Sequence, residues 1–458
     1  MSDERQQIQL ELAWHSAEAG EAQSRLGRGA ESRVVNGVTE NLATERLMEE
    51  VCEAGNLRKA LQRVQANRGA PGVEGMTVEQ LEGHFGQHEA ELRQQLFRGT
   101  YQPQPVRRVE IPKAEGGMRK LGIPTALDRL VQQAVAQVLE PHFEPQFSEH
   151  NFGFRPGRSA HQAIARAQQL MASGRNWVVD FDLEKFFDRV NHDRLMARMA
   201  KTIADKRVLR LTRRFLKAGV LENGLTEATA EGTPQGSPRS PLLSNIVLDE
   251  LDQELARRGH QFARHADDCN IYVASERAGQ RVMASISGFI SKRLKLKVNA
   301  EKSAVGRPWQ RKFLGFRFTA HEPPKRAIAP KAIGRCKARV RELTRRKRGV
   351  SFPTIVADLK LYLTGWGNYF GWCETPSVLR DLDGWVRRRL RCYCWSQWQH
   401  PHRRYAELRK RGVRAHSPAL RGSAAGPWRA SASQALQIAF PNAYFDSLGL
   451  PRLYPRKP

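Results

Sequence analysis

The sequence predicts an α/β protein followed by a helical domain, and three observations carry that prediction. The apolar run WVVDFD at 177–182 is typical of a buried strand and ends on carboxylates. The stretch QFARHADDCNIYV at 261–273 has β-prone residues on both sides of Asp267 and Asp268, which is typical of a hairpin with the acidic pair at its turn. Beyond Pro323 the composition shifts to basic and aromatic residues that fit helices, so we place a domain boundary there.

The charge balance predicts the class of partner. Among the 458 residues, 75 Lys and Arg stand against 47 Asp and Glu, which gives a net charge of +28. An excess of this size points to a polyanion, most simply nucleic acid. A membrane surface is the competing polyanion, but no apolar run approaches the ~18 residues that a spanning helix needs, and no signal-peptide core is visible. The six cysteines are scattered and form no CxxC pair, which argues against a disulfide framework and a zinc ribbon.

The N-terminal half divides into recognisable segments. Residues 1–40 are polar, and we expect a loosely ordered extension there. Residues 101–124 alternate in strand fashion around a glycine turn and carry several basic side chains, which predicts a basic hairpin. The apolar face at 130–139 predicts a helix that ends near Pro141.

The acidic residues allow two interpretations each. Strand geometry places Asp180 and Asp182 on one face, but Asp182 alone would serve equally well as a helix N-cap. An isolated pair such as Asp267 and Asp268 is usually an exposed acidic turn. Held within a sheet, the pair makes sense mainly if a hard cation such as Mg²⁺ neutralises it. The turn at Gln235, taken alone, needs no special role.

The C-terminal part is basic and aromatic. Residues 331–348 hold nine Lys and Arg and one Glu at spacings that allow a helix with a basic face. Such a run is usually a solvated face, but here it adjoins aromatic segments at 362–372 and 385–398. Most of those rings are expected to pack a helical core, and some to stack bases beside arginines. The tail at 421–458 is predicted to be short and basic.

Nine short segments follow one another along the chain. They are GAPGVEG (69–75), Arg119 with LGIPT (121–125), HNFGFRPGRSAHQA (150–163), FDLEKFFD (181–188), GTPQG (232–236), SPLLSNI (240–246), ADD (266–268), LKVNAEKS (296–303) and FLGF (313–316). In this order they resemble the bacterial group II intron-encoded reverse transcriptase/maturase family, and the segment GWGNYFG (365–371) resembles the thumb, or maturase domain, of that family. Each segment alone is weak, but nine in family order over residues 45–420 make coincidence implausible.

The resemblance implies a fold and an activity. It implies a right-hand polymerase, with fingers and palm at 41–322 and an α-helical thumb/maturase domain at 323–420. The implied activity is RNA-directed DNA polymerase, with binding of the intron RNA to assist splicing and mobility. The implied partners are intron RNA, an RNA template with a DNA primer, target DNA and dNTPs, in the cytoplasm of a bacterium at the nucleoid.

The resemblance also implies the site residues. The catalytic and metal-binding carboxylates would be Asp182, Asp267 and Asp268, holding two Mg²⁺ that Mn²⁺ can replace. The incoming nucleotide would meet Lys113, Arg119, Phe186 or Phe187, Gln235 and Lys302, and the choice between the two phenylalanines stays open. Nucleic acid would meet the basic residues of the thumb, namely Arg335, Lys337, Arg339, Arg345, Arg346, Arg348, Arg387, Arg388 and Arg391.

The sequence departs from the family pattern at several positions. His265 stands where the family usually has tyrosine, Ser237 where a second glycine is usual, and Lys120 where proline is common. The zinc-pair nuclease of some relatives has neither the room nor the cysteines here. Family members that lack this nuclease resemble the class whose introns insert at hairpins or single-stranded regions during replication.

Two alternatives remain open at this point. One is a domesticated or defence-associated reverse transcriptase without an intron. The other is a non-catalytic RNA-binding splicing factor, for which His265 is the motivating departure.

Overall fold

The computed structural model describes residues 44–112, 117–222, 225–227, 231–233, 236–414 and 426–454. The chain divides into two compact units between Leu314 and Gly315. The expected boundary near Pro323 thus lies a few residues further along the chain. The expected N-terminal extension, residues 1–40, lies outside the described residues.

The N-terminal unit begins with helices and a small sheet. The helices are α1 (Leu47–Val51), α2 (Ala54–Ala66) and α3 (Leu81–Arg98). The sheet has the strand order β2-β1-β4-β5 and consists of β1 (Val106–Pro112), β2 (Met118–Ile123), β4 (Val220–Glu222) and β5 (Leu225–Glu227). Strands β1 and β2 pair antiparallel, which is the basic hairpin predicted at 101–124. Strand β4 pairs parallel with β1.

A second sheet of the N-terminal unit carries the acidic residues. Its strand order is β6-β7-β3-β8, and all its described pairings are antiparallel. The strands are β3 (Trp177–Phe181), β6 (Gln261–His265), β7 (Asp268–Val273) and β8 (Ala304–Gly306). Apolar residues of β3 and β7, including Val179, Phe181 and Ile271, are buried in the core of the unit.

Six further α-helices complete the unit among the described residues. They are α4 (Ala126–Phe143), α5 (Ala160–Ala172), α6 (His192–Met199), α7 (Lys206–Lys217), α8 (Ser240–Arg257) and α9 (Glu276–Phe289). Local signals set their starts: the Thr125 hydroxyl accepts from the Asp128 backbone N–H, and Ser159 forms a capping box with Gln162. The predicted end near Pro141 is confirmed to within two residues, since α4 ends at Phe143.

The C-terminal unit is mainly helical. It starts with the short antiparallel pair β9 (Phe316–Phe318) and β10 (Arg326–Ile328). Its helices are α10 (Pro330–Leu343), α11 (Phe352–Phe370), α12 (Pro376–Gln397), α13 (Pro401–Lys410), α14 (Pro427–Ala430), α15 (Gln434–Ala439) and α16 (Asn442–Ser447).

The last stretch of the chain corrects an expectation. The tail predicted at 421–458 includes three short helices, and its Leu436, Phe440 and Phe445 are each no more than 2% exposed. Apolar side chains this deeply buried contribute to stability by being removed from water. Residues 427–454 are therefore part of the C-terminal unit's core.

Candidate active site

The acidic pair lies where the sequence predicts it. Strands β6 and β7 form a hairpin in which His265 faces Asp268, so that Ala266 and Asp267 form the turn. Ala266 has a φ of 56°, a left-handed conformation that a residue with a side chain adopts rarely. The predicted hairpin is confirmed, and its turn has an unusual backbone that neighbouring groups must hold in place.

The third carboxylate comes from the adjacent strand. Strand β3 pairs antiparallel with β7, with Phe181 opposite Cys269, and Asp182 follows directly after β3. Extending this antiparallel register by one residue brings Asp182 beside Asp268. The Asp182 backbone N–H donates to the Ser303 hydroxyl at 2.9 Å, which fixes the end of the strand.

The carboxylates act on one another electrostatically. Burial, followed by the negative charges of Asp267, Asp180 and Asp182, raises the pKa of Asp268 to about 7, and Lys312 opposes this rise. The side chain of Asp268 is nevertheless exposed, so we interpret the burial as desolvation by surrounding protein on the sides away from solvent. Burial and Asp182 also raise the pKa of Asp267. Carboxylates that destabilise one another's charged forms favour a bound cation.

The donor set suits a hard divalent cation that shares its ligands with a substrate. Reverse transcriptases in general use divalent metal ions. Among the described residues, no three His, Cys, Asp or Glu side chains converge closely enough to enclose an ion by themselves. Mg²⁺ rarely uses an all-protein cage, because it keeps several waters and takes one or two carboxylates together with substrate phosphates. Asp182, Asp267 and Asp268 supply oxygen donors of that kind.

Two of the predicted nucleotide-binding cations lie near these carboxylates. The Lys302 Nζ is 3.9 Å from the Asp182 Oδ2. Arg119 on β2 is exposed, and its charge lowers the pKa of Asp267 against the effect of burial. The structure thus brings two of the predicted nucleotide-binding residues to the carboxylates. The predicted Lys113 and Gln235 lie outside the described residues.

The two phenylalanines after Asp182 differ in burial. Phe186 is 2% exposed and belongs to the core. Phe187 is half-buried, and its ring packs edge-on against Phe186 with the centroids 5.1 Å apart. Of the two rings, that of Phe187 is the more open to solvent.

His265 lies beside the turn, at the position where the family that the sequence resembles usually has tyrosine. Its ring is half-buried, with its centroid 6.1 Å from that of Phe154. Its charge lowers the pKa of Asp267 against the larger effect of burial. The position therefore influences the carboxylates directly.

Two arginines near the site were not predicted from the sequence. Arg311 donates to the Asp180 carboxylate at 2.7 Å and to the Lys302 carbonyl at 2.6 Å. Arg264 on β6 is fully buried and hydrogen-bonds to the turn. The placement of Asp180 on the same strand face as Asp182 could have indicated that a cation such as Arg311 lies there. A single arginine in a strand, such as Arg264, gives no sign that it is buried.

Part of the predicted nucleic-acid surface is exposed in the C-terminal unit. Arg335 on α10 is exposed, as are Arg345 and Arg346 just after it. Lys337 is half-buried, with its Nζ 5.9 Å from the ring centroid of Trp385. Arg339 is also half-buried and pairs with Glu342 on its own helix.

The other predicted contacts are corrected by the structure. Arg387 is 1% exposed and pairs with Asp383 and Asp446. Arg391 is 8% exposed and donates to the Phe440 carbonyl at 2.9 Å. These two arginines hold the last helices against α12, so their side chains are not available to nucleic acid.

Two further arginines have internal partners as well. Arg388 stacks on Trp428 at 4.1 Å and donates to the Ser431 hydroxyl. Arg348 pairs with Asp358 at 2.7 Å. Helical periodicity in the sequence does not distinguish such internal arginines from those that face solvent.

No helix among the described residues is both long enough and apolar enough to cross a membrane.

Two protein-family models match this chain. The reverse transcriptase (RNA-dependent DNA polymerase) family matches residues 111–318, and the group II intron maturase-specific domain matches residues 333–412. Protein YkfC of Escherichia coli is 34% identical over 305 residues, which cover 58% of this chain and 80% of that protein. The group II intron-encoded protein LtrA of Lactococcus lactis is 39% identical over 210 residues, which cover 46% of this chain and 35% of that protein.

Among solved structures, telomerase from Candida albicans aligns with a TM-score of 0.40 and 14% identity, over 64% of this chain and 59% of that one. The sequence matches confirm the predicted fold class and enzyme class, namely an RNA-directed DNA polymerase with fingers and palm followed by a maturase-specific domain. The chain belongs to the group II intron-encoded reverse transcriptase/maturase family.

Proposed function

We propose that this chain copies RNA into DNA at Asp182, Asp267 and Asp268, and that it binds a group II intron RNA to assist splicing and mobility. The observation that carries the proposal is the hairpin turn, which sets Asp267 and Asp268 beside the end of β3. The proposed cofactor is a pair of Mg²⁺ ions, for which Mn²⁺ can substitute. Bound there, the ions would activate the primer 3′-hydroxyl and neutralise charge on the triphosphate.

The protein's own residues would position the substrates. The carboxylates of Asp182, Asp267 and Asp268 would hold the two ions at the turn. Lys302, next to Asp182, would pair with the negative triphosphate once it arrives. Arg119 would contact the triphosphate from the basic hairpin, and the resemblance assigns the same region to Lys113 and Gln235.

Phe187 would select the sugar. A ring against the ribose excludes a 2′-hydroxyl by steric contact, which is how a polymerase would favour dNTPs. Phe187 is partly open, whereas Phe186 is in the core, and this difference in burial supports Phe187.

The C-terminal unit would bind RNA. Arg335, Arg345 and Arg346 are exposed on a basic segment of the domain that matches the maturase-specific family. The proposed partners are the intron RNA, the template with its primer, and target DNA. We place the protein at the nucleoid, in the cytoplasm of a bacterium.

A second candidate function keeps the polymerase and removes the intron. A domesticated or defence-associated enzyme would carry the same carboxylates. The match to the maturase-specific domain favours the intron partner. Intron RNA structure flanking the gene would support the first function, and its absence would support the second.

The test of the proposed function is DNA synthesis on an RNA template with an annealed DNA primer, Mg²⁺ and dNTPs. We expect extension by the wild type and none by Asp267→Ala, because one metal-binding carboxylate is lost. RNA binding by both proteins controls for folding. A folded, RNA-binding wild type that extends no primer would overturn the polymerase assignment and favour an RNA-binding splicing factor. A splicing assay with the flanking RNA then tests the intron partner.

A further inference from the structure

The turn that presents Asp267 is held by a buried arginine. Arg264 lies on β6, and its guanidinium donates from Nη1 to the Ala266 carbonyl at 2.8 Å. Ala266 directly precedes Asp267 and has the left-handed backbone, so this bond restrains the least favourable conformation of the hairpin.

The same guanidinium is anchored on helix α8. Its Nε donates to the Asp252 carboxylate at 2.7 Å, and both side chains are 0% exposed. A buried pair of this kind is rigid, because neither charge can move into water without leaving the other uncompensated. Arg264 therefore transmits the position of α8 to the Ala266 carbonyl.

A second connection runs through two buried asparagines. The Asn245 Oδ1 on α8 accepts from the Arg264 Nη1 and from the Asn151 Nδ2, each at 3.2 Å. The Asn245 Nδ2 donates to the Gly153 carbonyl at 2.8 Å. Asn151 and Asn245 are both 0% exposed, so these bonds are shielded from competing water.

The loop at 150–153 contacts β6 and the turn directly through its backbone. The Phe152 backbone N–H donates to the Arg264 carbonyl at 2.8 Å. At Gly153 the approach is closer still: a Cβ there would lie 2.2 Å from the Ala266 nitrogen. Only glycine fits at this contact, because the neighbour is backbone of the turn and cannot rotate away.

We infer that Arg264, Asn245, Asn151 and Asp252 form a buried positioning network that fixes the backbone of the Asp267 turn and thereby sets where the carboxylate meets metal and substrate. The inference rests on the proposed function of Asp267. Arg264 is a positioning residue: its polar contacts are to the turn and to α8. Groups that orient metal ligands in this way change metal affinity or activity about 10- to 100-fold when altered.

The first test variant is Arg264→Lys. Lysine keeps a positive charge for Asp252, but it cannot bond Asp252, Asn245 and the Ala266 carbonyl together, because it lacks the planar fork of arginine. We expect kcat for DNA synthesis to fall about 10- to 100-fold, with the KM for dNTP within about threefold. Amide hydrogen exchange should rise in a peptide covering 261–273 and stay unchanged in one covering 106–112, which lies in the other sheet.

The matched control is Arg198→Lys. Arg198 also pairs with a carboxylate of α8, Asp249, one turn before Asp252, but none of its hydrogen bonds reaches the turn. It should leave kcat and the exchange of 261–273 at wild-type values. A fall equal to that of Arg264→Lys would mean that general loosening of α8, and not the bond to the turn, explains the loss.

A second variant, Asn245→Ala, keeps the inference testable if Arg264→Lys does not fold. It leaves the Arg264–Asp252 pair in place and removes the bonds that the Asn245 side chain makes to Arg264, Asn151 and Gly153, while the backbone bond between Phe152 and Arg264 remains. Binding of Mn²⁺, followed by electron paramagnetic resonance, gives a readout apart from catalysis, and we expect about tenfold weaker binding. Wild-type extension with unchanged kcat, exchange and Mn²⁺ binding in both variants would overturn the positioning network alone. A wild type that extends no primer would instead overturn the polymerase assignment.

Discussion

The Lys302 Nζ lies 3.9 Å from the Asp182 Oδ2, at the end of the strand that the Ser303 hydroxyl fixes. Lys302 is 60% exposed, so this pair contributes little to stability. Its position matters because a cation beside a carboxylate proposed to bind metal can pair with a triphosphate.

The first prediction concerns Lys302. We expect Lys302→Ala to raise the KM for dNTP about tenfold, because one charge-assisted contact of about 1.5 kcal/mol is lost, with little change in thermal stability. Steady-state extension at varied dNTP concentration measures it. Lys297→Ala is the control: Lys297 is equally exposed and pairs with Glu184. Equal effects of the two substitutions would show that only general positive charge matters.

The second prediction separates the two phenylalanines. Phe187→Val should raise incorporation of ribonucleotides relative to deoxyribonucleotides by at least about tenfold, because a smaller side chain admits the 2′-hydroxyl. Phe186→Val should instead lower the melting temperature, since it removes buried volume from the core. Competition between rNTP and dNTP on one primed template measures the ratio. A larger change in this ratio for Phe186→Val would assign the sugar contact to Phe186.

The third prediction concerns pH. The pKa of Asp268 is raised from 3.8 to about 7, so between these values the folded protein holds a proton that the unfolded chain has released. This contribution to stability is present below pH ~4 and is lost as pH rises through ~7. In EDTA, the melting temperature of the wild type should therefore fall over this window relative to Asp268→Asn, whose side chain does not titrate.

Mg²⁺ should oppose that loss in the wild type, because the ion binds the deprotonated carboxylate. For the same reason, the Mg²⁺ concentration for half-maximal synthesis should rise as pH falls below ~7. If the melting temperatures of wild type and Asp268→Asn differ by the same amount at every pH, the raised pKa of Asp268 is contradicted.

The fourth prediction distinguishes two kinds of arginine in the C-terminal unit. Arg387→Ala should destabilise that unit by about 1–3 kcal/mol, because Asp383 loses its ion pair with the buried arginine and Asp446 keeps only its pair with Arg452. Arg346→Ala should leave stability unchanged and lower the salt dependence of RNA affinity by about one phosphate contact. Thermal unfolding and RNA binding at several salt concentrations measure both effects. If Arg346→Ala unfolds at a lower temperature than Arg387→Ala, then Arg346 and not Arg387 is the structural arginine.

The fifth prediction concerns His265. His265→Tyr should raise DNA synthesis by about fivefold at most, since the added hydroxyl can supply a single hydrogen bond of about 1 kcal/mol. RNA splicing should be unchanged. A much larger gain in synthesis with unchanged splicing would indicate that the natural protein acts mainly as an RNA-binding splicing factor.

The sequence predicted the hairpin that carries the acidic pair, but it did not predict the buried side chains around that hairpin. The hairpin at 261–273 was predictable because alternating β-prone residues around two aspartates are a local signal. The proximity of Asp182 is long-range, and only the resemblance and the strand pairing together place it.

The surroundings depend on packing that no local pattern encodes. Arg264 was not predicted because burial of a charged side chain is exceptional and requires partners from other segments, here Asp252 and Asn245. Arg387 was predicted to face nucleic acid, but residues 427–454 fold over it. A basic composition near the C-terminus gave no sign of that fold.

The most direct test of the proposed active site is single-nucleotide incorporation in the pre-steady state, at saturating dNTP and Mg²⁺, for Asp182→Asn, Asp267→Asn and Asp268→Asn. The control is Asp193→Asn, a surface carboxylate paired with Arg213. We predict losses of at least about 10³-fold in rate for the three site variants, comparable with removal of a key electrostatic group, and a wild-type rate for the control. Wild-type incorporation by Asp267→Asn, with the template and primer bound, would contradict the claim that these three aspartates carry the chemistry.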